Sequence, residues 1–270
     1  MNITTARQIV AGVDLSLACP TDAVDVPTLL CLHGIGGDDA SFQPQLDGLS
    51  DQYRVISWNM PGYGQSENLT DYTFEHLAGV LHRLVTELNL NQVTLVGQSI
   101  GGMIAQEYAH HYPESLSSLV LVATTAAFGG RDDSFKQEFL AARLKPLDQG
   151  MTMAQLAKEA MPHITGSAAP VSAIQAAIDS MSKVNEATYR QVLKCLVTFN
   201  RRAELSDISC PVCLIAGSED TNAPAPTMQK MASKIDGAEY HELVGAGHLV
   251  NLEMPHETNQ IVSRFIEKTH

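Results

Sequence analysis

Short runs of Val, Leu and Ile, each closed by a glycine-rich turn, recur along the chain: Pro27–Gly34 "PTLLCLHG", Tyr53–Gly64 "YRVISWNMPGYG", Val93–Ser99 "VTLVGQS", Leu116–Thr125 "LSSLVLVATT", Cys210–Asp220 "CPVCLIAGSED" and Ala238–His248 "AEYHELVGAGH". Near-continuous apolar runs of this length are strands covered on both faces. Between them lie stretches with apolar residues at helical spacing, such as Phe74–Leu90 "FEHLAGVLHRLVTELNL" and the segment after Ser99. Strand and helix in alternation predict a mostly parallel sheet with helices on both sides. The N-terminal Arg7–Pro20 "RQIVAGVDLSLACP" reads as an edge strand or hairpin.

The alternation stops after Thr125. Residues 126–205 show no strand pattern but four helical ones: "SFKQEFLAARL", "TMAQLAKEAM", "VSAIQAAIDSM" and "NEATYRQVLKCLVTF", separated by turns such as "PLDQG" and "ITGSAAP". Roughly 80 residues far exceed an ordinary connection. The expected organisation is a core formed by residues 1–125 and 206–270, with 126–205 inserted as a helical cap.

Composition narrows the function. The net charge of −13, from 17 Lys+Arg against 30 Asp+Glu, repels phosphate backbones, which argues against nucleic acid. No apolar run approaches the roughly 18 residues of a membrane span. The N-terminus lacks a signal-peptide pattern, and the five cysteines sit mostly in apolar runs, so a cytoplasmic protein is expected. The pair Cys210 and Cys213 has redox spacing, but it opens a strand, where residues three apart face opposite ways. No second pair completes a zinc site, so the cysteines read as structural.

The central chemistry lies at Gly97-Gln98-Ser99-Ile100-Gly101, a G-x-S-x-G turn between a strand and a helix. Glycines two before and two after the serine let strand and helix approach, so that the bend presents the hydroxyl. A phosphate loop would need a Gly-Lys-Ser/Thr ending, and a dinucleotide site would need G-x-G-x-x-G after the first strand. Neither is present. A nucleophilic serine needs a base and an orienting acid. His248 follows the last strand between Gly247 and Leu249, whereas His76, His82, His110 and His111 fall on helices where solvated or packed roles are expected. Asp220 follows the preceding strand, with Glu219 its competitor. The loop His33-Gly34-Ile35-Gly36-Gly37 supplies the second oxyanion donor: the N–H of Ile35 is expected to act with that of Ile100, and His33 to brace the loop.

Taken together, "HGIGG", "WNMPGYGQS", "GQSIGG", "GSEDTNAP" and "GAGHLVNLEMP" resemble the α/β-hydrolase superfamily over nearly the full length. Within it, the chain is most similar to the 3-oxoadipate enol-lactonase and small carboxylesterase group. The resemblance implies Ser99 as nucleophile, His248 as base, Asp220 as its partner, and no cofactor or metal. Two positions depart from the family pattern: Asn59 stands where Asp is usual, and Gln98 where enol-lactonases carry Leu and carbon–carbon hydrolases Asn. Relatives with an Asp nucleophile are excluded by Ser99.

The expected activity is hydrolysis of a carboxylic ester or lactone of a small molecule. Alternatives on the same fold are a carbon–carbon bond hydrolase of a ring-cleavage product, a ligand-binding signalling member and, more remotely, a cofactor-free dioxygenase. The partner is the substrate itself, with a homodimer left open. The cap's Met151, Met153, Met161 and Met181 read first as core packing. Arg131, Arg143, Lys145, Arg201 and Arg202 read singly as solvated cations, though a dicarboxylate substrate would require one to point inward. An Ala- and Met-rich cap predicts a mainly apolar wall that favours medium acyl groups over strongly charged ones.

Overall fold

The computed structural model describes residues 2–21, 26–129 and 134–269. Among these residues, eight strands form one sheet: β1 (Ile3–Val10), β2 (Val13–Pro20), β3 (Thr28–Leu32), β4 (Arg54–Trp58), β5 (Val93–Gln98), β6 (Leu116–Val122), β7 (Val212–Gly217) and β8 (Glu239–Leu243). Their order is β1-β2-β4-β3-β5-β6-β7-β8. β1 and β2 form the N-terminal hairpin, β2 runs antiparallel to β4, and every later pairing is parallel.

The pleat sends alternate residues to opposite layers. Leu30, Leu32, Leu95, Leu119, Leu121 and Leu214 join the core under α2 (Phe74–Glu87), α3 (Ile100–His111) and α8 (Ala225–Ala232). Leu29, Cys31, Val96, Val120, Cys213 and Ile215 face α1 (Gln43–Leu49) and α10 (Pro255–Thr269). Coverage on both faces is why these strands read as unbroken apolar runs. α2 shows the opposite pattern: Leu77, Leu81, Leu84 and Val85 bury one stripe, and Thr73 caps the start by accepting from the His76 N–H. α3 is buried from Ile100 to Ala109, so its helical periodicity is weak.

Between β6 and β7 come α4 (Ser134–Asp148), α5 (Met153–Ile164), α6 (Val171–Ser182) and α7 (Glu186–Leu196). The sole strand-like feature among the described residues of this insertion is an isolated bridge between Ala127 and Asn200. Arg201, at its end, grips the buried Glu107 of α3 with two hydrogen bonds of 2.8 and 2.7 Å. Burial alone would raise the Glu107 carboxyl, but Arg201 and His111 outweigh it and hold it below the usual range. Arg201 is therefore a structural cation, while Arg202 and Lys145 are exposed and Arg131 lies outside the described residues.

The departure at Asn59 has a local reason. Its buried amide group donates to both Asp14 and Asp39 at 3.0 Å, and its oxygen accepts from the Asp39 N–H. An aspartate there would place a third carboxylate between two others and remove both donors. Cys210 lies just ahead of β7 rather than within it, and Cys213 is buried in the strand. Burial pushes their thiols up to about 11 and about 12, and all five cysteines are free. No helix among the described residues is long and apolar enough to cross a membrane.

Candidate active site

The C-terminal end of β5 runs directly into α3, and Ser99 forms the corner with φ 55° and ψ −120°. A non-glycine residue in this region stores roughly 1–3 kcal/mol of strain, which surrounding structure must hold. Neighbouring backbone leaves no slack: a Cβ on Gly101 would lie 2.0 Å from the Leu32 carbonyl oxygen, and one on Gly97 would lie 2.5 Å from that of Gly101. The Ser99 N–H donates to the Val122 carbonyl at 3.0 Å, and the Thr124 hydroxyl donates to the Ser99 carbonyl at 2.7 Å. The corner is thus clamped from β6.

Across the chain, 149 positions away, His248 brings Nε2 to 3.0 Å from the Ser99 hydroxyl, while its Nδ1 lies 2.8 Å from the Asp220 carboxylate. The other Asp220 oxygen accepts from the N–H groups of Asn222 and Ala223 at 2.8 and 3.1 Å. Burial alone would raise this carboxyl. The His248 charge and hydrogen bond and the two amides outweigh that effect and keep it below the ordinary range. Asp220 remains an anion that holds Nδ1 protonated and leaves Nε2 free to accept.

Glu219 faces elsewhere. Its exposed carboxylate takes the Ser167 N–H and hydroxyl at 2.7 and 2.6 Å, tying the insertion to the acid loop. Of the two candidate acids, only Asp220 meets the histidine.

The Gly34–Gly37 loop is held by its carbonyls. The His33 Nε2 accepts from the Met60 N–H at 3.0 Å, so Nδ1 is the nitrogen that donates to the Gly34 carbonyl at 2.7 Å. Full burial lowers the His33 pKa and favours this neutral ring. Gly37 N–H also binds the Gly34 carbonyl, and the Tyr63 hydroxyl donates to the Ile35 carbonyl at 2.8 Å. With both carbonyls engaged, the Ile35 peptide is fixed in orientation at the cavity wall. The Ile100 side chain is buried in the core; its N–H, in the first turn of α3, lies ahead of the helix's own hydrogen-bond ladder.

Three contacts absent from the sequence reading position the histidine. Gln98 donates from Nε2 to the His248 carbonyl at 2.8 Å, joining the serine corner to the histidine loop. The His248 N–H donates to Ile164 of the insertion at 2.7 Å. Glu253, at the end of the short helix α9 (Val250–Glu253), accepts from the N–H groups of Gly166, Gly247 and Leu249 at 2.8, 2.7 and 2.8 Å. A Cβ at Gly247 would fall 2.4 Å from the Gly166 nitrogen, so side chains at either position would part the two loops. The "NLEMP" stretch carries the family resemblance, but nothing local reveals that its glutamate collects three amides.

Glu253→Gln is expected to lower stability by about 2–4 kcal/mol, since one carboxylate oxygen is replaced by an amide that faces N–H donors. Ester turnover should fall roughly tenfold with the loosened histidine, a consequence of losing these charge-assisted bonds. Urea denaturation and steady-state kinetics check both effects. An unchanged midpoint would show that the three amides do not need the carboxylate.

Ser99, His248 and the Gly34–Gly37 loop open on a cavity of about 1420 Å³ whose outer wall comes from α4 to α7. That wall includes Phe135, Phe139, Leu156, Met161, Met181 and Leu193. Met161 and Met181 belong to the buried core and also border the cavity, so reading them as core packing alone is incomplete. Asp220 lies behind His248 and does not border the cavity. Among the described residues no group of three or more His, Cys, Asp or Glu side chains is arranged to hold a metal.

A serine raised on a strand–helix corner, backed by a histidine and a buried aspartate from successive later loops, defines a nucleophile-elbow site on a parallel α/β sheet. The chain belongs to the alpha/beta hydrolase fold family, whose model matches residues 27–255. It is 25% identical over 245 residues to 3-oxoadipate enol-lactonase 1 of Acinetobacter baylyi, covering 90% of each chain. A poly(3-hydroxyalkanoate) depolymerase of Ectopseudomonas oleovorans is 29% identical over 244 residues, 89% of this chain and 84% of the other. In structure the chain is similar to the enol-lactonase of Burkholderia xenovorans LB400, with a TM-score of 0.84 and 22% identity over 97% of this chain and 100% of that one.

Proposed function

We propose that this protein is a serine hydrolase of small-molecule carboxylic esters or lactones, working through an acyl-enzyme. The observation that carries the reading is the unbroken relay from Ser99 through His248 to Asp220, opening on a cavity with a mainly apolar wall. Ser99 Oγ attacks the carbonyl carbon as His248 Nε2 takes its proton, and the carbonyl oxygen becomes an oxyanion. The N–H groups of Ile35 and Ile100 are its donors. Collapse breaks the ester C–O bond, and His248 delivers its proton to the departing alkoxide. Water then attacks the acyl-enzyme, with His248 again as base, releasing the acid and restoring Ser99. In a lactone, the alkoxide and acyl group belong to one product. The similarity to an enol-lactonase and to a poly(3-hydroxyalkanoate) depolymerase supports ester-type chemistry.

The inserted helices act as the cap that selects substrate, because they form the wall facing the serine. They also brace the site: Ser180 of α6 donates to Asp38 beside the glycine loop at 2.6 Å, and Ile164 and Gly166 hold the histidine loop. Hydrolysis of a panel of p-nitrophenyl esters and lactones tests the reading. Multiple turnover is expected, with medium neutral acyl chains outpacing acetyl. A single stoichiometric turnover would instead identify a ligand-binding member, and cleavage restricted to ring-cleavage diketones would identify a carbon–carbon hydrolase.

A further inference from the structure

Among the described residues of the insertion, Arg143 is partly withdrawn from water and has no carboxylate partner. Arg143 of α4 is half-buried, borders the same cavity as Ser99 and His248, and holds its guanidinium carbon 3.5 Å above the Phe139 ring centroid. Three other arginines, Arg7, Arg190 and Arg201, each hold a carboxylate at 2.7 Å. Arg143 has no carboxylate within ion-pair distance among the described residues. Glu138 and Glu159 border the cavity from exposed positions, but neither reaches it.

Withdrawing a guanidinium from water carries a substantial cost unless an anion or a set of acceptors replaces the solvent. The Phe139 face supplies only about 0.5–2 kcal/mol, and it leaves the in-plane N–H donors uncommitted. Burial correspondingly lowers the Arg143 pKa, the buried Tyr189 being the nearby group that acts in the opposite sense. Lys158 also borders the cavity, but it is exposed and water compensates it. Among the described residues, the mainly apolar wall therefore carries a partly desolvated, forked cation.

We propose that Arg143 is the specificity residue of a carboxylate-binding subsite, so that the preferred substrate is an ester or lactone whose apolar chain ends in a free carboxylate remote from the scissile carbonyl. This rests on the serine-hydrolase reading for its chemistry. It also amends the expectation that charged substrates are disfavoured: the methylene segment meets the Phe, Leu and Met side chains, and the terminal carboxylate replaces the water that Arg143 has lost. A guanidinium fork suits a planar carboxylate better than an ammonium does, because it donates two parallel hydrogen bonds.

The test compares mono-p-nitrophenyl succinate, adipate and suberate with p-nitrophenyl butyrate, hexanoate and octanoate, the neutral esters of equal chain length. Wild-type kcat/KM is expected to favour the carboxylate at one length by about 10- to 100-fold, the range for a charge-assisted pair. Arg143→Gln should remove that preference while changing turnover of the neutral esters less than threefold or so, because it leaves the serine and histidine untouched. Arg143→Lys should fall between. Equal losses on both series, or no preference to lose, would overturn the subsite. Should the neutral esters also resist the wild-type enzyme, the hydrolase reading fails by itself. Calorimetric binding of adipate to wild type and Arg143→Gln then decides the subsite: weakening by tenfold or more supports it, and equal or absent binding overturns it.

Discussion

Ser99→Ala is expected to abolish hydrolysis of a short acyl ester, lowering kcat by about 10⁴–10⁶, without unfolding the protein. The two halves of this result have separate causes. The Ser99 hydroxyl has His248 as its hydrogen-bond partner and supports no neighbouring backbone group among the described residues. The strained corner is held by a main-chain bond to Val122 and by the Thr124 hydroxyl, neither of which involves the serine hydroxyl. Alanine tolerates the same backbone angles about as well as serine does, so the elbow persists without its nucleophile. A single-turnover assay and a thermal melt, read together, check the pair of outcomes. A folded variant that kept more than a tenth of wild-type turnover would remove Ser99 from the mechanism.

Asp220→Asn is expected to cost roughly 10⁴-fold in kcat, the magnitude seen when a triad acid is neutralised. The site geometry explains why an isosteric change is so costly. One oxygen of the group accepts from the Asn222 and Ala223 N–H groups, and this forces the asparagine oxygen into that position. The NH₂ then faces His248 Nδ1, which must become an acceptor. The proton moves to Nε2, so the ring presents a donor to Ser99 and no longer takes its proton. Glu219→Gln, by contrast, alters an exposed contact with Ser167 and should change kcat only a few-fold at most, as surface substitutions ordinarily do. Rate–pH profiles of both variants beside wild type decide the matter. If Glu219→Gln were the crippled variant, the histidine would be paired differently in solution.

Much of the fold is legible along the chain because its determinants are local. β3, β5, β6 and β7 are covered on both faces, so each reads as an apolar run. The switch to helical periodicity after Ser99 is weak, since α3 is buried almost all round, yet the glycines around the serine mark the bend unaided. The N-terminal stretch reads as an edge strand or hairpin from Arg7 on, and the structure makes it the hairpin of β1 and β2, starting earlier at Ile3; the helical character of residues 134–196 is also legible. Element ends are less legible: Cys210 reads as strand but precedes β7, whose ladder with β6 begins at Val212 opposite Leu119, just after Pro211, which has no N–H to donate.

The reach of local reading ends where two distant segments must choose each other. The sequence alone determines that a serine sits on a strand–helix corner, since backbone sterics demand glycine there, and that an acid and a histidine follow on successive loop ends. It also determines a helical insertion with an apolar character. Only the tertiary structure decides that Asp220 rather than Glu219 meets His248, that Glu253 gathers amides from both the histidine loop and the insertion, and that Gln98 joins serine corner to histidine loop. It likewise separates cations that look alike in sequence, pairing Arg201 with Glu107 across 94 positions and leaving Arg143 in the cavity wall on the Phe139 ring with no carboxylate partner among the described residues. The physical reason is common to all of these: a periodic pattern says which face of an element leaves water. Which polar group compensates another after desolvation depends on the packing that brings them together.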